Sequence, residues 1–502
     1  LYGQKVTAEN LTPNQRLTQN WLENHWGFQI LTPAHSQENF VSDIFVIDQQ
    51  NPEDLAMLQA LYSRSPASVV THLEKLKASG SGKFMDQYYV GYGHASIGDC
   101  GVTTLFVEQV SMLVAKAIQD TPLYNGQEAS TRYLDFSKQS IVDPYGTEAS
   151  QKIQARWMEI YNRLLPLLTE GLKQRYPFDA VQYKNEKIWH NALAARAFDI
   201  GRALLPLGTT TLLSWTTSLR AARDHARRLK HHPLPEIRNV AKQLFEKLVE
   251  KYPHSFKAAD IEIGDNEIDD YASRNAARSA FVSADDIHAR FAPSEAEMDQ
   301  LRAGEIVSRA QTVDLEGLRK NEVALLSSRP KFAALPWRLE SYGRYNFLFL
   351  LDFGSFRDLQ RHRNAVCQIP LIDGRFGFHP WYLSQLEENL DPAEAAKAKE
   401  DIAAQFTAIA DLANHPEATP ALTQYYYPMG TQALVHASYS VPETVYIGEL
   451  RSAKTVHPSL RPIAQKMLNV LERDLPGIAV HGDREADTWT AKRGEQTITS
   501  KT

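Results

Sequence analysis

Apolar residues recur at helical spacing in two widely separated stretches of the chain. Ile237, Val240, Ala241, Leu244, Phe245, Leu248 and Val249 follow the i, i+3, i+4, i+7 pattern of a helix with one buried face. Leu460, Ile463, Ala464, Met467, Leu468 and Leu471 repeat it. Each predicted helix runs into a proline that cannot continue it, Pro253 and Pro476. Phe106, Val107, Val110, Leu113, Val114, Ala117 and Ile118 form a further stripe, which predicts a helix ending near Thr121-Pro122. Leu123 to Tyr133 then reads as a loop with a turn at Asn125-Gly126. Tyr345 to Phe353 is densely aromatic and aliphatic and suits a buried strand or helix.

The two matching helices belong to a longer ordered set of landmarks. Leu204-Leu205-Pro206-Leu207-Gly208 resembles Tyr426-Tyr427-Pro428-Met429-Gly430; an arginine beside a leucine follows in each case, Arg228-Leu229 and Leu450-Arg451, and then a His-Pro pair, His232-Pro233 and His457-Pro458. The offsets agree: 428 − 206 = 222, 451 − 228 = 223, 457 − 232 = 225 and 476 − 253 = 223. Two similar amphipathic helices would account for the last landmark but not for the ordered series. The chain therefore reads as two tandem copies of one α+β unit, residues 41–257 and 306–480. An N-terminal extension (1–40) precedes them, an acidic linker or excursion (258–305) separates them, and a polar tail (481–502) follows.

Composition narrows the class. With 502 residues, 43% hydrophobic and 23% charged, the chain has enough apolar material for a sizeable core. A net charge of −6 gives no case for nonspecific nucleic-acid binding, so an anionic ligand must be met by local arginine clusters. Two cysteines provide neither a disulfide framework nor a thiolate metal cage. Leu1 to Asn20 lacks a signal-peptide layout, and no apolar run approaches the roughly 20 residues of a membrane span. A soluble cytoplasmic protein without a metal site is expected. No H-E-x-x-H, P-loop or G-x-G-x-x-G occurs.

The two copies carry different chemistry. The first has Glu128-Ala129-Ser130-Thr131-Arg132-Tyr133, in which Glu128, Ser130 and Arg132 would share one side of an extended segment. The second has Arg361-His362-Arg363 after its apolar stretch, a set of donors suited to a phosphate or pyrophosphate. Gly93-His94-Ala95-Ser96-Ile97-Gly98-Asp99 reads as a turn that could edge a cofactor, or as an ordinary turn. Ala226 to His232 reads as a solvated basic helix face.

These landmarks together resemble the flavin-dependent thymidylate synthases, whose signature joins R-H-R to E-x-S-x-R-Y in a single stretch. Here the signature is divided. The first copy has Asp120-Thr121-Pro122 at the triplet position, and the second has Ile369, Leu371 and Asp373 where Glu, Ser and Arg would stand. The resemblance implies an α+β fold, two tandem synthase-like domains, and FAD as cofactor, with NADPH and methylene-tetrahydrofolate as co-substrates in methylation of dUMP. It implies substrate contacts from Glu128, Ser130, Arg132, Arg202, Arg361 and Arg451, with Ser130 and Arg451 nearest the chemistry. It implies cofactor contacts from His94, Ser96, Asp99, Arg220, Arg361, His362 and Arg363. The late arginine of the first copy is Arg228, or Arg220 in a rival alignment. A homodimer equivalent to a pseudo-tetramer of units is expected, with no nucleic-acid or membrane partner. Asp358, where the family usually has Gln, keeps open a flavin reaction on another nucleotide. A flavin- or nucleotide-binding paralogue that does not methylate also stays open.

Overall fold

A computed structural model describes residues 45–48 and 50–495; the expected N-terminal extension lies outside the described residues. The fold mixes helices with small antiparallel sheets, an α+β arrangement. After helices α1 (Pro52–Tyr62) and α2 (Val69–Ser79) come β1 (Val102–Ser111) and α3 (Met112–Gln119). Next are the long α4 (Glu148–Arg175), α5 (Glu186–Gly201), β2 (Thr210–Ser218), α6 (Leu219–Lys230) and α7 (Pro235–Lys251). Helices α8 (Glu267–Arg274), α9 (Ala284–Phe291) and α10 (Glu295–Arg302) precede β3 (Val307–Arg309), β4 (Arg344–Asp352), α11 (Phe353–Gln360) and β5 (Val366–Gln368). The chain continues through α12 (Pro380–Asn389), α13 (Pro392–Ala413), β6 (Gln432–Ser440), α14 (Val441–Arg451) and α15 (Arg461–Asp474).

The order strand, helix, strand, helix, helix thus occurs twice: β1-α3…β2-α6-α7 and β4-α11…β6-α14-α15. The first pair of strands forms a two-stranded ladder, and the second lies within a four-stranded sheet of order β3-β4-β6-β5. The helical stripe read from Phe106 to Ile118 is corrected here. Val102 to Ser111 is strand, because its β-branched and aromatic residues pair along β2, with Phe106 opposite Ser214. Helix begins only at Met112, where the Ser111 side chain caps it by accepting from the Val114 amide. A left-handed Gln109 (φ 58°) marks the bulge between the two patterns.

The matching Pro-Gly landmarks meet each other at the centre of the molecule. The Leu207 amide donates to the Tyr427 carbonyl (2.9 Å) and the Met429 amide to the Leu205 carbonyl (2.8 Å). The Gly208 amide donates to Tyr425 (2.8 Å) and the Gly430 amide to Ala203 (2.9 Å). Every one of these contacts maps onto its mate by the same shift, since 427 − 205, 429 − 207, 430 − 208 and 425 − 203 all equal 222. The bonds therefore relate the two halves by a local pseudo-twofold axis. Glycine is required at this crossing: a Cβ on Gly208 would lie 2.6 Å from the Val142 carbonyl oxygen, and one on Gly430 would lie 2.8 Å from the Ala203 Cβ.

One continuous hydrophobic core runs through both halves and includes Leu205, Leu207, Tyr427 and Met429. The segment read as a linker or excursion is helical in large part. Ile287, Met298 and Leu301 of α9 and α10 cover the outer face of the larger sheet at Leu348, Leu350 and Leu434. The matching outer face of the β1–β2 ladder leaves Phe106 75% and Leu212 49% exposed. The C-terminal segment is not a free polar tail over its described part. Trp489 stacks on Tyr176 (centroids 3.8 Å apart), which brings the chain's end back onto the first half. No helix among the described residues is long and apolar enough to cross a membrane.

Candidate active site

The C-terminal ends of α11 and α14 meet the 128–133 segment of the first half. Arg357 and Arg361 are four residues apart and so lie on one side of α11 and its continuation. Arg357 forms a buried ion pair with Glu128, and Gln119 Nε2 donates to the same carboxylate at 2.7 Å. Residues 229 positions apart are thereby locked together. Arg363 donates from Nη1 to Asn125 Oδ1 at 2.8 Å, making a second cross-link. The separated motif parts are brought together within one chain.

Glu128, Ser130 and Arg132 do not share one side. Glu128 is extended and bridges to Leu213, but the chain turns immediately afterwards, the amides of Tyr133 and Leu134 both donating to the Ser130 carbonyl. The turn redirects Arg132 to Asp199, with Nε to Oδ1 at 2.7 Å and Nη2 to Oδ2 at 3.1 Å. Asp199 is fully buried and also pairs with Arg493 from the C-terminal segment. Burial opposes ionisation of Asp199, but Arg132 and then Arg493 outweigh it and hold the carboxyl well below its usual range. Arg202 is buried, donating to Ser355 Oγ at 2.8 Å with Asp352 at 3.8 Å. Ser130 Oγ accepts from the Arg132 amide at 3.3 Å.

Asp358 lies at the centre of these groups. Burial would raise its pKa, yet the charges of Arg451, Arg132, Arg202 and Arg361 keep it below the ordinary value. Those four arginines come from both halves. Arg451 donates from Nε to His362 Nε2 at 2.9 Å and from Nη2 to the Asp358 carbonyl at 2.5 Å. His362 Nε2 is thus the acceptor, which leaves its proton on Nδ1. Arg361 is exposed and makes no side-chain hydrogen bond to a described residue.

The other expected cofactor contacts gather at one end of the β1–β2 ladder. His94, Ser96 and Asp99 precede β1 and are exposed. Asp99 pairs with Arg220 at 3.2 Å and accepts from Ser218 at 3.3 Å. Asn125, the partner of Arg363, bridges Thr216, two residues before Ser218 and so roughly 7 Å away along the strand. The rival alignment is settled by topology: Arg228 stands near the end of α6 as Arg451 ends α14, whereas Arg220 begins α6. Arg357, Asp199 and Arg493 escaped the sequence reading. Only Arg357 carried a signal, its place one helical turn before Arg361.

His225, His232 and His362, at the ends of α6 and α11, are each pushed down to about 3. Burial is the main cause, followed by Arg228, Lys116 and Arg451 respectively. The fold holds these rings neutral, whereas the unfolded chain protonates them near pH 6.5. Their contribution to stability is complete above about pH 6.5 and is lost as pH falls from there toward 3. Urea unfolding is expected to shift to lower midpoints between pH 7.5 and pH 5; equal midpoints would contradict neutral burial.

The fold and site define a mixed helix-and-sheet protein with a composite, arginine-rich centre between two like halves. Residues 45–254 match the sequence profile of a family described as thymidylate synthase complementing protein. Over a longer span the chain is similar to UPF0159 proteins. It is 22% identical over 488 residues to one from Thermoplasma acidophilum, covering 85% of this chain and 94% of that protein. It is 24% identical over 410 residues to one from Chlamydia muridarum, covering 75% and 76%.

Proposed function

We propose that the chain is a fused pair of synthase-like units, 41–257 and 306–480, with one composite active site that transfers a one-carbon unit to a pyrimidine deoxynucleotide. The favoured reaction is reductive methylation of dUMP to dTMP with methylene-tetrahydrofolate and NADPH. The observation that carries this reading is the Glu128–Arg357 ion pair, which joins the substrate-side motif of one half to the triplet helix of the other.

The donor set fits an anionic flavin nucleotide. Arg361 and Arg363 stand near the ladder end that holds Arg220, and the neutral His362 offers an Nδ1 proton. FAD bound there would supply the redox chemistry that methylation requires. Arg361 and Arg451 would meet the nucleotide, Arg451 being aimed by His362 and the Asp358 carbonyl. Arg132 and Arg202 are held by Asp199, Ser355 and Asp352, so their part is to make the field at Asp358 positive and to place the 128–133 segment. Glu128 acts as a positioning residue through Arg357. Ser130 lies beside the same segment as a hydrogen-bonding partner for substrate. Self-association into a homodimer belongs to the same reading, through the uncovered β1–β2 face bearing Phe106 and Leu212.

Purified protein supplied with FAD, dUMP, methylene-tetrahydrofolate and NADPH is expected to form dTMP. Flavin oxidation without dTMP would reject thymidylate synthesis and favour another nucleotide, which Asp358 recommends as the second reading. Arg361→Ala is expected to weaken FAD binding by about tenfold or more, the effect of losing one charge-assisted contact. A protein that takes up no FAD would reject both flavin readings.

A further inference from the structure

The pseudo-twofold axis that relates the halves carries the composite centre onto a second place, built from the ends of α3 and α6 and residues 369–371. Asp120 there corresponds to Arg361 (361 − 120 = 241) and Lys116 to Arg357 (357 − 116 = 241). Gln424 takes the place of Arg202 (424 − 202 = 222). This counterpart contains a cavity of about 790 Å³, within the range of small-molecule sites.

The pairs of the composite centre have no counterparts here. Glu128 is replaced by the Ile369-Pro370 stretch, so Lys116 has no carboxylate across from it. Its nearest acid is Asp120 on its own helix, at 3.5 Å. Gln424 is tied to backbone, accepting from the Ile372 amide at 3.1 Å and donating to the Ala421 carbonyl at 3.2 Å. The α8 segment closes the outer wall and is clamped by Asp269, which accepts from His231 Nε2 at 2.8 Å and pairs with Lys230 at 3.2 Å.

The charges lining the space leave one positive unit unbalanced. Arg227 pairs with Asp260 and Lys230 with Asp269, which leaves Lys116 and Arg228 against Asp120 alone, 2 − 1 = +1. Arg228 spends only Nη2, on the Asp120 carbonyl and His225, so its Nε and Nη1 donors bond no described residue. His232 accepts from the Leu234 amide on Nδ1 at 3.1 Å, which puts its proton on Nε2. That N–H also finds no described partner. These donors line a space that also has an apolar side, formed by Leu113, Ile369, Leu371 and Phe281 among others.

We propose that this cavity is a second ligand site, separate from the composite centre, that binds an organic carboxylate with an aromatic or branched aliphatic body. The carboxylate would sit between Lys116, Arg228 and His232, and the body against the apolar wall. A phosphate monoester, with about two charges, exceeds the single uncompensated cation and lacks the arginine that Gln424 replaces.

The test is calorimetric titration of the full chain with 2-naphthoate, beside neutral 2-naphthalenemethanol and dianionic 2-naphthyl phosphate. Naphthoate is expected to bind, with the alcohol and the phosphate each weaker by about tenfold or more. Arg228 is exposed, so Arg228→Ala should fold and should weaken naphthoate by a similar factor while leaving the alcohol unchanged. Ala280→Trp, placed in the outer wall, should abolish binding by filling the space, and Arg361→Ala, an exposed change at the composite centre, should leave it intact. No binding of naphthoate, equal binding of the alcohol, or loss on Arg361→Ala with retention in Ala280→Trp would overturn the proposal. These readouts need neither flavin nor turnover, so they stand apart from the synthase reading.

Discussion

Exchanging Asp199 for Asn is expected to destabilise the folded protein by about 3–5 kcal/mol, as when one partner of a buried ionic group is removed. Among the described residues, Asp199 is the only carboxylate bonded to both Arg132 and Arg493, and it is fully buried. Neutralising it leaves two buried guanidinium groups without the carboxylate that bonds them both. The loss is read as a lower urea midpoint at pH 7.5, and a change below about 1 kcal/mol would show that water already compensates the arginines. The acid limb supplies a second check. The folded pKa of Asp199 lies well below its unfolded value, so its stabilisation is present above about pH 4 and disappears as pH falls below that. The Asn variant should therefore lose less stability than the parent on acidification below pH 4. Because Arg493 comes from the C-terminal segment, the variant should also free that segment, increasing hydrogen exchange around Trp489.

Glu128→Gln is the second large effect. It strips the charge from the buried partner of Arg357 and should cost about 3–5 kcal/mol by the same mechanism. The double variant Glu128→Gln with Arg357→Met removes both charges and should recover a substantial part of that loss. Additive losses in the double variant would mean that the two side chains do not interact. Activity separates position from stability: the double variant should fold yet lose turnover, because the ion pair is what aligns the 128–133 segment with Arg361 and Arg451. Restored turnover in the double variant would remove Glu128 and Arg357 from the positioning role.

The counterpart cavity differs from the composite centre in the residues that line it. In the composite centre the cations are met by Glu128, Asp199 and Asp358. At the counterpart, the neutral Ile369 and Gln424 stand at the positions of Glu128 and Arg202 and line an open volume with donors at its edge. One backbone arrangement thus produces two sites with different contents.

What the sequence determined by itself was whatever depends on neighbours a few residues away. The stripes of α7 and α15 were legible because helical periodicity and a terminating proline are local. The repeat was legible because the Pro-Gly and His-Pro landmarks kept one offset, and the division of the motifs followed from aligning them. Interactions between distant residues were decided only by the tertiary structure. Phe106 to Ile118 carries a stripe that suits a helix, and pairing with β2, about a hundred residues on, made the part up to Ser111 a strand. Arg132 looked like a partner of Glu128 in an extended run, but the buried Asp199 and the turn at Ser130 took it elsewhere. Arg493 had no local mark at all, since its role rests on a carboxylate 294 positions away. Hydrophobic pattern is written along the chain, whereas the partner of a buried charge is chosen by packing, because only the folded interior sets which opposite charge lies within reach.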